Sequence, residues 1–139
     1  MDDELIRVCA LATRAACRRM TQSGLKALHD SVEQACYLPK GLGWDRKAAA
    51  HAQIVNLLAD TAEDPVLALL VRDAPGQLHD LMIAAGPASD DVIAGSRARL
   101  LTLIQAQDAE GAAREMERHV GGLFQLRASR GRAPADIVL

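Results

Sequence analysis

Three polar side chains occupy positions in patterns that are otherwise apolar. Each lies in a series of residues spaced by four, three and four, the spacing that places side chains on one face of a helix. The three series are His51 with Val55, Leu58 and Ala62, Arg97 with Ile93, Leu100 and Ile104, and His119 with Ala112, Met116 and Leu123. Because an apolar helix face packs against the core, the sequence predicts that two histidines and one arginine point inward.

These three residue types suit the binding of a small anion. A buried guanidinium is costly unless it is paired, and in this interpretation the stripe that carries Arg97 holds no acidic residue. Guanidinium donors match the geometry of a carboxylate, and imidazoles can donate further hydrogen bonds. We therefore predict that Arg97 holds an external anion beside His51 and His119, the alternative partner being a carboxylate from a neighbouring helix. Taken singly, each histidine is more typical of a hydrogen-bonded core residue, and Arg97 could instead reach solvent at a helix edge.

Catalytic and nucleic-acid signatures are absent from the sequence. It contains no GxSxG, HExxH, P-loop or GxGxxG motif. His29 and His79 each precede an aspartate, but neighbouring residues on a helix point about 100° apart, so neither pair predicts an acid–base couple. The 16 basic and 18 acidic residues leave no basic surplus, and one Trp, one Tyr and one Phe are too few for base stacking. We therefore expect a protein that is not an enzyme and that does not itself bind duplex DNA.

The helical period runs along most of the chain, and no stretch alternates with a period of two. Capping residues and prolines divide it into predicted helices. The predicted starts are Asp3, Thr21, Asp45, Asp64 with Pro65, Ser89 and Asp108, with a kink at Pro75 and Gly76 in the fourth helix. The period is lost after residue 128. The sequence thus predicts an all-α antiparallel bundle of six to seven helices over 1–128, followed by a mobile tail over 129–139.

The chain also carries signals of its cellular compartment. Its three cysteines are odd in number and form no CxxC pair, which is typical of thiols in a reducing compartment. The first residues are acidic and then interrupted by arginine, unlike a signal peptide. No apolar run reaches the roughly 18 residues of a membrane span. We expect a cytoplasmic protein with no membrane partner.

Three segments together resemble a known family. They are RAACRRMTQSGLKAL, LLADTAEDPVLALLV and LLTLIQAQDAEGAAREMERHV. They resemble the FCD domain, the all-helical C-terminal effector-binding domain of the FadR subfamily of GntR transcriptional regulators. The resemblance covers about residues 1–127. It is most specific in the last segment, where Asp108 opens the final helix and the inward His119 follows eleven residues later.

The resemblance implies a candidate metal site as well as an effector site. Many members of the family hold zinc or nickel through one Asp and three His. In this sequence His119 matches the last His, Arg97 stands at the preceding His, His51 stands at the Asp, and Val55 stands at the remaining His. His51 and His119 alone make an incomplete metal site. An arginine at a ligand position suits direct binding of an anion better than binding of a cation.

By this resemblance the chain is expected to be the ligand-sensing and dimerisation domain of a GntR/FadR-like bacterial regulator. Its effector would be a small carboxylate bound inside the bundle, and its partner a second copy of itself. DNA would be contacted only through the winged helix-turn-helix that precedes this domain in the family and is absent from this sequence. Two alternatives stay open: a purely structural helical dimerisation module, and a metal-dependent enzyme.

Overall fold

The computed structural model describes residues 2–39 and 43–138, with side chains described over 3–39 and 43–130. Its α-helices are α1 (Asp2–Arg18), α2 (Gln22–Cys36), α3 (Trp44–Ala52), α4 (Ile54–Ala62), α5 (Pro65–Leu70), α6 (Ala74–Ala85), α7 (Asp90–Gln105) and α8 (Ala109–Val138). A short 3-10 turn over Pro87–Ser89 joins α6 to α7. No strand occurs in the described part of the chain. The predicted all-α bundle is therefore confirmed.

Three of the predicted capping residues begin helices as expected. Thr21 accepts a hydrogen bond from the Gly24 amide through its hydroxyl, at 3.0 Å. The carboxylate of Asp64 accepts from the amides of Val66 and Leu67, which follow the proline of the first turn. Asp108 accepts from the Gly111 amide at 2.9 Å, just before α8. Each side chain satisfies an amide that has no partner within the helix.

The predicted third helix starts and ends differently. Trp44 is its first residue and Gly43, with φ of 92°, precedes it, so Asp45 lies within the first turn instead of capping the helix. In the first turn the negative charge of Asp45 interacts favourably with the positive end of the helix dipole. The helix also breaks at Gln53, whose amide is shared between the carbonyls of Ala49 and His51. The segment predicted as one helix is therefore α3 followed by α4.

Two further boundaries differ from the sequence prediction. The break assigned to Pro75 occurs before it, because α5 ends at Leu70 and α6 begins at Ala74. Pro75 then lies in the first turn of α6, where a missing amide hydrogen costs nothing. Ser89 does not cap α7 with its side chain, because its hydroxyl donates to the carbonyl of Gly86 at 2.6 Å.

The core positions the three helices that carry the predicted site. Helix α1 packs against α4 and α8, while α6 packs against both α3 and α8, and α7 lies against α8 and α2. The interior is almost wholly aliphatic, and Trp44 is only partly buried at its edge. Polar side chains from α3, α7 and α8 therefore enter an apolar interior, where an unpaired polar atom is costly.

The tail predicted over residues 129–139 lies mostly beyond residue 130, the last residue whose side chain is described. Helix α8 runs to Val138, past residue 128, where the predicted domain ends. Arg130 donates to the carbonyl of Ala84 at 3.0 Å. Side chains from 131 onward and all of Leu139 lie outside the described residues, so mobility of 129–139 stays a prediction. No helix in the described ranges combines the length and apolar character that crossing a bilayer requires.

Candidate functional site

The three predicted site residues are all buried in the bundle interior. The exposed fractions are 0% for His51 on α3, 1% for Arg97 on α7 and 5% for His119 on α8. Arg97 spans the space between the other two helices. Its Nη2 donates to the main-chain oxygen of His51 at 3.3 Å, and its Nη1 lies 4.0 Å from the sulfur of Met116, which is one turn before His119 on α8.

Most polar atoms of these side chains have no hydrogen-bond partner among the residues whose side chains are described. Both ring nitrogens of His51, both ring nitrogens of His119 and the Nε of Arg97 are buried and unpaired. The great majority of buried polar atoms in folded proteins are paired with protein or water. Five such nitrogens on three helices therefore lie in the bundle interior without a described partner.

Burial sets the charges of this group. It lowers the pKa of Arg97 from 12.5 to about 10, which still leaves the guanidinium protonated at neutral pH. Burial, with the nearby positive charge of Arg97, lowers the pKa of His51 to about 4. The same two causes lower the pKa of His119 well below its ordinary value. At neutral pH each imidazole is therefore uncharged, with one nitrogen that donates and one that accepts.

No described carboxylate forms a hydrogen bond or ion pair with Arg97. Glu115 is close enough to interact electrostatically, but its oxygens accept from Ser96 at 2.7 Å, from Arg99 at 3.1 Å and from Arg118. Cys9 also lies near the guanidinium, but burial raises the pKa of its thiol to about 12, so it is neutral. Within the described part of the chain, the guanidinium of Arg97 thus has only a carbonyl oxygen and a thioether as hydrogen-bond acceptors.

Sequence reasoning missed a second buried pair beside His51. Lys47 on α3 donates to Asp90 Oδ2 on α7 at 2.8 Å, and the two side chains are 7% and 11% exposed. The other oxygen, Asp90 Oδ1, is buried without a hydrogen-bond partner and lies 3.9 Å from His51 Nε2. The prediction that the Arg97 stripe holds no acidic residue is therefore wrong, because Asp90 lies three residues before Ile93 and belongs to the same stripe.

The spacing could have identified both missed residues. Asp90 precedes Ile93 by three positions and Arg97 by seven, and Lys47 precedes His51 by four. These intervals place each residue on the same helix face as its neighbour in the site. Charged residues near helix starts are usually solvated, so the spacing alone does not distinguish these two from surface residues.

A surface cavity reaches this buried pair. It has a volume of about 110 Å³ and is lined by Gly43, Trp44, Lys47, Pro87 and Asp90. The indole of Trp44 donates to the carbonyl of Met82 at 2.9 Å, which fixes one wall. Lys47 and Asp90 therefore line the cavity, and Asp90 also lies beside the buried imidazole of His51.

The residues present do not fit a zinc or nickel ion. His51 and His119 offer two ligands, but Arg97 places a cation and Val55 a hydrocarbon at the other two positions implied by the family resemblance. In the part of the chain whose side chains are described, the one group of three candidate ligands within 4.8 Å of each other is His29, Asp30 and Glu33, all exposed on α2. A structural zinc site takes four such ligands.

We expect the purified protein to hold well under one equivalent of zinc or nickel after dialysis. Two imidazoles beside a guanidinium give too few ligands and an unfavourable charge for a divalent cation. Elemental analysis of the dialysed protein measures this directly. A full equivalent that is lost in His119→Ala would contradict the prediction, because other side chains would then complete the site.

Comparison with known proteins identifies a family. The family model described as the FCD domain matches residues 9–122. No curated protein matches the chain. The matched range begins within α1, ends within α8 and includes His51, Arg97 and His119.

Proposed function

Because the chain belongs to the FCD domain family, a family of regulatory domains of GntR transcription factors, we propose that it is a ligand-sensing and dimerisation domain. The regulator would be of the FadR subfamily and would act in the cytoplasm. The effector is a small organic acid bound among Arg97, His51 and His119. The role is regulatory and not enzymatic. The observation that carries this proposal is the buried guanidinium of Arg97, which is 1% exposed and forms no ion pair with a described carboxylate.

The proposal rests first on the charge of Arg97. Its side chain is 1% exposed, and its Nε donates to nothing. A cation in such a position is costly unless an anion meets it. A ligand carboxylate can accept from Nε and from one terminal nitrogen at once, the paired geometry that guanidinium groups favour.

The two histidines complement that contact. Both are neutral at neutral pH, so each retains one N–H donor, and no hydrogen-bond acceptor meets either ring. A carboxylate held by Arg97 can accept from these donors as well. Replacing buried unpaired nitrogens by hydrogen-bonded ones strengthens binding, because each unpaired buried group carries a desolvation cost.

A ligand at this position would act on three helices together. Arg97 lies on α7, His51 on α3 and His119 on α8, and α8 also packs along α1. A ligand that binds one packing of these helices more tightly than another shifts the balance between the two packings. In a homodimeric regulator such a shift would change how the attached DNA-binding units are oriented, which is the coupling that regulation requires.

Thermal unfolding with a panel of small organic acids and phosphates tests the proposal. We expect monocarboxylates to raise the Tm of the wild-type protein and Arg97→Met to abolish this rise. Arg99→Met is the matched control, since it removes an arginine from the same helix whose side chain is 54% exposed. The control is expected to keep the ligand-dependent rise.

Either of two results would contradict the proposed effector site. One is the absence of a Tm shift with every acid in the panel. The other is a shift that persists unchanged in Arg97→Met. Both would favour the alternative of a purely structural dimerisation module that binds no ligand.

A further inference from the structure

We propose that Asp90 determines the specificity of the effector site around Arg97, so that the site selects monocarboxylates that also carry a hydroxyl group. The inference rests on the proposed function, because it takes Arg97 as the residue that holds the carboxylate. It adds a second recognition point at the imidazole end of His51. The observations behind it are the Lys47–Asp90 pair and the unpaired oxygen Asp90 Oδ1.

The charges already present in the site determine the charge that a ligand should carry. Lys47 and Asp90 neutralise each other through a 2.8 Å contact, and both histidines are uncharged at neutral pH. Arg97 therefore contributes the one uncompensated positive charge of this group. A ligand with a single carboxylate balances that charge, whereas a dicarboxylate would leave a buried negative charge next to Asp90.

One carboxylate oxygen of the site, Asp90 Oδ1, has no described hydrogen-bond donor. Lys47 occupies Oδ2 of Asp90, while Oδ1 is buried without a donor. The nearest ring nitrogen, His51 Nε2, is 3.9 Å away, too far for a hydrogen bond. Oδ1 is a charged acceptor that lacks a donor, and a hydrogen bond to a charged group contributes more than one between neutral groups.

A ligand hydroxyl group suits Asp90 Oδ1 best as a hydrogen-bond donor. A ligand ammonium could also donate to Asp90 Oδ1, but it would add a positive charge close to Lys47 and leave the occupied site with a net positive charge. A hydroxyl donates without changing the charge balance. It can also accept from His51 Nε2 when that nitrogen carries the proton.

The positions of Arg97 and Asp90 relative to His51 determine the size of the ligand. Arg97 contacts the main-chain oxygen of His51, whereas Asp90 faces the tip of the imidazole of the same residue. The two recognition points thus lie at the main-chain end and the imidazole end of one residue, His51. A short carbon chain is enough to carry a carboxylate to the first point and a hydroxyl to the second.

Isothermal titration with matched acids tests the inference. The probes are butyrate, the hydroxybutyrates that carry the hydroxyl at each available carbon, and succinate as the dianion. In the wild-type protein the best-placed hydroxybutyrate is expected to bind about 10- to 100-fold more tightly than butyrate, the range for a hydrogen bond to a charged acceptor. Succinate is expected to bind more weakly than butyrate.

The double variant Lys47→Met/Asp90→Leu removes both charges of the pair at once. The single change Lys47→Met would leave a buried carboxylate without its cation, which strongly destabilises a fold. In the double variant we expect the preference for hydroxybutyrate over butyrate to disappear, while butyrate binding persists because Arg97 is unchanged.

Asp45→Asn is the matched control. It removes a carboxylate from the start of α3, where the side chain is 77% exposed and pairs with His79. The ratio of hydroxybutyrate to butyrate affinity is expected to equal that of the wild type. A changed ratio in this variant would show that any negative charge near α3 affects binding, and would overturn the specific role of Asp90.

The outcomes separate this inference from the proposed function. If no hydroxybutyrate binds more tightly than butyrate, if the preference survives the double variant, or if succinate binds most tightly, the role of Asp90 is wrong. Butyrate binding that depends on Arg97 would still support the proposed function in those cases. If none of these four-carbon acids binds, the role of Asp90 is wrong, and the thermal unfolding panel then decides the proposed function separately.

Discussion

Arg97→Met is expected to raise the free energy of unfolding of the ligand-free protein by about 1–3 kcal/mol. Burial lowers the pKa of Arg97 to about 10 because the interior disfavours its charge. The unfolded chain therefore holds the proton more tightly than the fold does, and at every pH below about 10 the charge destabilises the fold. Methionine has a similar length and carries no charge, so the variant removes this cost without opening a large cavity.

Urea unfolding at neutral pH without added ligand measures the effect. The Arg99→Met control is expected to lose stability or to leave it unchanged, because Arg99 is a hydrogen-bond partner of the buried carboxylate of Glu115. Arg97→Met could instead lower the free energy of unfolding by more than about 1 kcal/mol, the size typical of a lost hydrogen bond. That result would show that the contacts of Arg97 with His51 and Met116 compensate the cost of burying its charge. The case for an external anion would then be weaker.

Acidification from pH 6.5 to 4 is expected to cost the protein about 3 kcal/mol of stability through His51 alone. Burial and the charge of Arg97 lower the pKa of His51 from 6.5 to about 4, and the pKa of His119 is lowered in the same direction. A lowered pKa means that the unfolded state binds the proton first. Stability is therefore full above pH 6.5 and falls as the pH is lowered towards 4.

The free energy of unfolding, measured in urea at several pH values, checks this prediction. His51→Gln should reduce the slope of stability against pH within this window, because it removes one of the two buried imidazoles. His29→Gln is the control, since His29 lies on the surface of α2 with its side chain 58% exposed, and it should keep the wild-type slope. An unchanged slope in His51→Gln would contradict the assignment of the acid sensitivity to this buried site.

The sequence by itself determined which residues face the interior. The helical period places His51, Arg97 and His119 on apolar stripes, and the structure buries all three. Local capping chemistry likewise determined the starts at Thr21 and Asp64, because a side-chain oxygen two or three residues before a free amide is enough to satisfy it. Both properties depend on neighbours along the chain, and a single sequence contains those neighbours.

Only the tertiary structure decided which groups meet across helices. The contact between Arg97 and the main-chain oxygen of His51 joins α7 to α3, and so does the ion pair of Lys47 with Asp90. The break at Gln53 belongs to the same class, since no glycine or proline marks it in the sequence. Periodicity specifies the face on which a side chain lies, but helix packing specifies the partner it faces and the distance between them. That packing brings the positive charge of Arg97 and the unpaired oxygen of Asp90 to opposite ends of His51.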